Sequence, residues 1–188
     1  VAEFEPAYSI TFQHEGGYVR NPKDRGGETM CGISRRNFPG WQGWRKIDEM
    51  KVGVGFPDNL LKDTELMLMV QNFYREEFWN SNRLGEIVHQ PIANELFDTG
   101  VNMGVRTAAR FLQTALNFAN RSERDYKDLP VDGSIGPLTL DCVNRHRFIT
   151  KIFNILNILQ GERYLSLVRQ DPTQEGFLLG WLNRIEIM

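Results

Sequence analysis

Near the start of the chain a glutamate, an aspartate and a threonine stand in order: Glu15, Asp24 after eight intervening residues, and Thr29 after four more. The stretch from His14 to Ile33 crowds acid groups and glycines between two apolar elements. Upstream, Tyr8, Ile10 and Phe12 fall at roughly helical spacing and predict a short helix over Ala7–Phe12. Gly16 and Gly17 end it, with Glu15 in its last turn. The carbonyl end of a helix carries partial negative charge, and Phe12 and Tyr18 are close enough in sequence to desolvate the carboxyl. Both effects raise its pKa. A carboxylic acid kept protonated near neutral pH is what general-acid cleavage of a glycosidic bond requires.

The remaining chain has to hold that stretch in place, and its patterns predict a mainly α fold. Tyr18–Ser34 has the turn residues of a loop, with Glu28–Ile33 suited to one strand of a hairpin. The segment Asn37–Asn59 carries Trp41, Trp44 and Phe56 among glycines and prolines. An exposed Trp41 or Trp44 would stack on sugar faces, although a lone tryptophan is more often core. Asp63 caps a helix running to about Trp79, and Glu76 and Glu77 lie between Tyr74 and Trp79, more in the manner of solvated helix charges than of a further cleft carboxylate. Pro91 opens a helix that ends near Gly104, and Val105–Asn120 repeats small and apolar residues at helical spacing. Asn120–Pro130 is charged and polar and predicts an exposed excursion, a candidate for disorder or insertion. Asp132-Gly133 and Gly136-Pro137 predict turns, followed by a short helix from Pro137 to about Asn144. Phe148–Val168 is apolar nearly all round and predicts a central helix shielded on most sides. A terminal helix follows Pro172.

These motifs carry a resemblance. Phage-type lysozymes show a Glu, eight residues, an Asp, five residues and a Thr, then Gly-Ile; here the Thr comes one position early. The muramidases of glycoside hydrolase family 108 are closer. Their opening resembles His14-Glu15-Gly16-Gly17-Tyr18-Val19, Asn21-Pro22, Asp24, Gly26-Gly27, Thr29 and Gly32-Ile33-Ser34. The resemblance continues through Phe73-Tyr74, Phe78-Trp79, Leu96-Phe97-Asp98 and Val101-Asn102-Met103-Gly104. It ends in Val131-Asp132-Gly133-Ser134-Ile135-Gly136-Pro137, similar to a small peptidoglycan-binding segment of type 3.

The resemblance implies a lysozyme-like helical fold with a small β-hairpin or irregular lobe. It divides the chain into a catalytic region, 1–103, and a helical peptidoglycan-binding-like region, 104–188, packed on it as one compact unit. The implied activity is N-acetylmuramidase cleavage of the β-1,4 bond between N-acetylmuramic acid and N-acetylglucosamine, with Glu15 as the acid. If the phage-lysozyme pattern transfers, Asp24 and Thr29 hold the attacking water, which gives inversion across a carboxyl separation of ~6.5–9.5 Å. Glu28 is the rival for Asp24's role; on a strand it would point away from its neighbour Thr29. Tyr18, Trp79 and Asn102 are the candidate substrate contacts. A lytic transglycosylase on the same bond and a non-catalytic wall-binding secretion accessory are the alternatives. The biological settings are those of an endolysin or a secretion activator.

At 188 residues the chain suits one domain, or one domain with a small appendage. Twenty-two basic against 24 acidic residues disfavour nucleic-acid binding through a basic surface. Cys31 and Cys142 form no CxxC pair, and His14, His89 and His146 lack metal-ligand spacing, so no disulfide, metal or cofactor is expected. With no leader pattern at Val1 and no apolar run of ~18 residues, the expectation is synthesis in the bacterial cytoplasm without stable membrane insertion. Action at the wall would then depend on a holin or an export system.

Overall fold

The computed structural model describes residues 1–13, 16–20 and 27–188. The expectations for Glu15 and Asp24, including Glu15's place in the last turn of a helix, fall outside them. By its contacts the chain divides into two compact units, residues 8–77 and residues 1–7 with 78–188.

The sheet belongs to the unit 8–77. Strands β1 (Tyr18–Arg20), β2 (Glu28–Met30) and β3 (Ile33–Ser34) form an antiparallel sheet in that order. Tyr18 pairs with Met30, Val19 with Thr29 and Arg20 with Glu28, while Thr29 also pairs with Ser34. Cys31 and Gly32 make the turn between β2 and β3, both in the left-handed region at φ 45° and 77°. Glycine adopts that geometry freely, but a cysteine needs support. Its support is buried: the Tyr74 hydroxyl donates to the Cys31 carbonyl at 2.7 Å, and the Cys31 amide donates to Gly17 at 3.1 Å.

Around the sheet lie α2 (Gly43–Met50) and α3 (Thr64–Tyr74), which contribute Trp44, Ile47, Leu66, Val70 and Tyr74 to a core with Met30 and Ile33. Asp63 caps α3, accepting from the Leu66 amide at 2.8 Å, as expected. The predicted helix to Trp79 changes character partway: after Tyr74 the backbone widens into a π-helical turn, Arg75–Asn80. Helix α1 spans Phe4–Phe12, starting earlier than the periodicity suggested. Its Tyr8 and Phe12 stack on each other at 4.8 Å and meet Tyr74 edge-on.

The other unit is a helical assembly of α4 (Gln90–Met103), α5 (Val105–Ala119), α6 (Pro137–Arg145), α7 (Ile149–Gln170) and α8 (Glu175–Leu182). Phe4 enters its core against Trp79 and Phe97, each at 5.7 Å. Pro91 sits in the first turn of α4, and Gly104, at φ 91°, breaks the chain between α4 and α5. The alanines Ala108, Ala109 and Ala115 are fully buried, consistent with close helix approach. The expected region boundary lies between α4 and α5, yet α4 shares its compact unit with α5 and α7.

Residues 120–130 are wound around a fully buried Asn120. Its Nδ2 donates to the Tyr126 carbonyl at 2.5 Å and to Asp128 at 2.9 Å, while its Oδ1 accepts from the amides of Asp125 and Tyr126. Around it the segment is largely exposed: the turn Arg121–Glu123, left-handed at all three residues, lies at the surface, as do Arg124, Asp125, Lys127, Asp128 and Pro130, while Leu129 is buried. Helix α7 is shielded on most of its faces but has exposed positions. Ile152, Phe153 and Leu156 are buried together with Asn157 and Gln160, whereas Ile158 is 59% exposed and Leu165 41%. Polar side chains take inward positions because partners on α4 and the C-terminal segment satisfy them: Gln160 donates to Thr99 at 3.2 Å, and Asn157 accepts from the Glu186 amide at 2.6 Å.

Candidate active site

Of the residues chosen from sequence, Tyr18 and Thr29 lie on neighbouring strands but on opposite faces. The register places Tyr18, Arg20, Glu28 and Met30 on one side, and Val19, Thr29 and Ser34 on the other. The alternation that separates Glu28 from Thr29 is therefore present. A water held by Thr29 would lie on the face away from Glu28.

The Glu28 carboxyl is fully engaged. It accepts from the Tyr18 hydroxyl at 2.8 Å and from Lys51 Nζ at 2.7 Å, and its second oxygen lies 3.2 Å from Arg35 Nε. Asp48 closes the network, bonding Arg35 at 2.9 Å and Lys51 at 2.6 Å. Burial pushes the Glu28 pKa up, but the hydrogen bonds from Lys51 and Tyr18 and the charge of Arg35 outweigh it and hold the group below its ordinary value. A carboxylate so held is a poor proton donor and a weakened base. The Tyr18 phenol is correspondingly raised, by burial first and then by its bond to Glu28, and its ring lies edge-on to Phe56 at 5.0 Å. Nothing in the sequence linked Lys51, Arg35 and Asp48 to this stretch; only tertiary folding brings them to the hairpin.

Trp79 and Asn102 belong to the other unit. Trp79 is 4% exposed, and its ring packs on Phe4 and, at 6.0 Å, on Phe97. In this structure its ring packs in the core of that unit. Asn102 lies in the last turn of α4 and turns its amide back onto Asp98, to the carbonyl at 2.8 Å and to the carboxyl at 3.2 Å.

The acid with the strongest upward shift among the described residues was not foreseen. Glu95 on α4 is pushed up to about 8, by burial first and then by the charge of Asp98, against lowering hydrogen bonds from Asn157 and Thr99. Asp98 itself bonds Arg184 at 2.5 Å. This pair sits in the interior of its unit and borders neither of the surface hollows described below. Periodicity placed Leu96 and Phe97 inward and gave no sign that two carboxyls were buried beside them.

Among the described residues no group of His, Cys, Asp and Glu is arranged to hold a metal ion, and no helix is long and apolar enough to cross a membrane. Two surface hollows flank Trp41 in the unit 8–77, of about 610 and 350 Å³.

Comparison with known proteins adds the family. No curated protein matches the chain. Among solved structures it is similar to that of SagA from Brucella abortus, at 26% identity and a TM-score of 0.61, covering 96% of this chain and 87% of that one. Residues 107–186 match the family model described as a predicted peptidoglycan domain. Residues 8–104, more than half of the chain and the part that carries Glu15, Asp24 and Thr29, match the model of glycosyl hydrolase 108. The two matches in this order, on a mainly α fold with one small sheet, describe a glycoside hydrolase directed at peptidoglycan. The chain belongs to the glycosyl hydrolase 108 family.

Proposed function

We propose that the chain is an N-acetylmuramidase that cleaves the β-1,4 bond between N-acetylmuramic acid and N-acetylglucosamine at the bacterial cell wall. The observation that carries this reading is the glycosyl hydrolase 108 match over residues 8–104, the part of the sequence that contains Glu15, Asp24 and Thr29. Glu15 gives its proton to the glycosidic oxygen as the bond to the anomeric carbon breaks. Asp24, with Thr29, orients a water on the opposite face of the sugar and takes its proton as the new bond forms, inverting the centre. The engagement of Glu28 with Lys51, Arg35 and Tyr18 favours Asp24 for the second role. Residues 107–186 hold the polymer while the first region cuts it.

The test is clearance of a purified wall suspension combined with analysis of the new chain ends. Reducing ends are expected; anhydro-muramic ends would indicate a transglycosylase. Replacing Glu15 with Gln keeps size and hydrogen bonding but removes the transferable proton. Glu15→Gln should therefore lose about 10²–10⁴-fold in rate while still sedimenting with peptidoglycan. Near-normal clearance by that variant overturns the assignment. Absence of clearance by the unsubstituted chain, with wall binding retained, would instead identify a non-catalytic wall-binding protein.

A further inference from the structure

The four tryptophans are placed differently. Trp44 and Trp79 are each 4% exposed, and Trp181 stacks with Tyr164 and Phe177 at 5.3 and 6.1 Å. Trp41 is half-buried on the surface of the unit 8–77, just before α2. It meets Trp44 edge-to-face at 5.1 Å and 89°, and Phe73 at 6.1 Å and 63°. Its ring lies over Gly43, where an added Cβ would overlap the indole. Absence of a side chain at 43 thus creates the seat. The Trp44 N–H is spent on the Phe38 carbonyl at 2.8 Å, whereas that of Trp41 has no protein acceptor among the described residues. Trp41 is a rigidly held aromatic with an unused donor.

Trp41 also forms a ridge, because it lines both neighbouring hollows. The larger, of about 610 Å³, is bounded by Trp44, Arg45, Asp48 and Glu49, and the smaller, of about 350 Å³, by Phe38, Phe73 and Glu77. Both fall in the ~300–1,000 Å³ range of small-molecule sites. The charges of the larger hollow are balanced within the protein: Arg45 pairs with Glu49 at 3.1 Å, and Asp48 with Arg35 and Lys51. Glu77 is the charged group of the smaller one. Neither wall offers an uncompensated cation, which disfavours a polyanion. Carboxylates and the Gln42 amide, which lines both hollows, suit the hydroxyl and acetamido groups of uncharged sugar rings, and the indole face suits their C–H surface.

We infer that Trp41 is the platform of a glycan subsite, over which a strand of N-acetylated sugars lies with successive rings in the hollows on either side. This inference rests on the muramidase reading for the identity of the polymer. The platform is a binding element; no step of the cleavage is assigned to it.

The test uses the full chain with indole nitrogens labelled and the soluble tetramer of N-acetylglucosamine as probe. Titration should shift the Trp41 indole resonance, identified by its loss in Trp41→Phe, and leave that of Trp181 in place. Trp41→Ala should weaken tetramer binding and raise KM on wall by about tenfold or more, with a much smaller change in kcat, and Trp41→Phe should recover most of the loss. An unmoved Trp41 resonance at millimolar tetramer, or a Trp41→Ala chain that binds the tetramer like the parent, overturns the inference. The titration needs no substitution that could unfold the protein and no cleavage. A chain that fails to cut wall yet binds the tetramer at Trp41 therefore sinks the muramidase reading alone, and one that cuts wall with Trp41 unmoved sinks the platform alone.

Discussion

The Tyr18 hydroxyl donates to Glu28 Oε1 at 2.8 Å, joining the first strand of the hairpin to the second through side chains as well as through the ladder. Lys51 and Arg35 reach the same carboxylate. Because the folded state holds Glu28 below its ordinary pKa of 4.5, it binds fewer protons near that pH than the unfolded chain does. Its contribution to stability is complete above that value and disappears as pH falls through the depressed one. Glu28→Gln should cost roughly 1.5–3 kcal/mol at pH 7, the worth of hydrogen bonds to a charged group, and the gap from the parent should narrow at an acid pH well below 4.5. Denaturant melts at the two pH values measure it. A gap unchanged at acid pH would mean that the ionised carboxylate is not what stabilises the hairpin. Glu28→Gln should also keep the wall-clearing kcat of the molecules that remain folded.

Glu95 behaves in the opposite sense. Its folded pKa of about 8 exceeds the ordinary 4.5, so between those values the folded chain holds a proton that the unfolded chain has released. Stability attributable to this group therefore falls as pH rises from about 4.5 to about 8 and then levels off. Glu95→Gln, neutral at every pH, should gain on the parent across that window, by an amount on the order of a few kcal/mol at its upper end. Thermal melts of both proteins at pH 5, 7 and 9 give the comparison. A difference independent of pH would show that Glu95 does not titrate in the interior.

Local punctuation was readable in the sequence because it acts within a few residues. Asp63 caps α3, Pro91 lies in the first turn of α4 and Gly104 separates α4 from α5, each where the chemistry of its own side chain or φ angle requires. Tertiary choices were not readable. Trp41 and Trp79 are the same residue in similar aromatic surroundings, yet Phe4, distant in sequence, closes over Trp79 while Gly43 leaves Trp41 a seat at the surface. The Glu28 network draws on Arg35, Asp48 and Lys51 from beyond the hairpin turn, at spacings that no periodicity encodes. Asn120 looked like part of a polar loop; its burial follows from four hydrogen bonds to the loop that it organises. On α7 the apolar pattern suggested a helix shielded on most sides, and it gave no hint that Asn157 and Gln160 had partners inside.

The expected boundary at Met103 can be tested by truncation, and the contacts of α4 set the outcome. Ile92, Leu96 and Phe97 are buried, and the neighbours of α4 include α5 and α7, which lie beyond the boundary. Asp98 has its cation in Arg184 and a further donor in Gln160, and Thr99 accepts from the same glutamine. Cutting the chain after Met103 removes all of these partners and exposes the apolar face of α4 together with two carboxyls. The 1–103 piece should therefore melt without a cooperative transition and bind an apolar dye that the full chain does not. A narrower change isolates the polar part of the effect: Arg184→Met in the full chain leaves Asp98 buried without its cation, which typically costs about 3–5 kcal/mol. A 1–103 piece that melts at the temperature of the full chain would show that the glycosyl hydrolase region folds alone, with α4 finding its stability within that region.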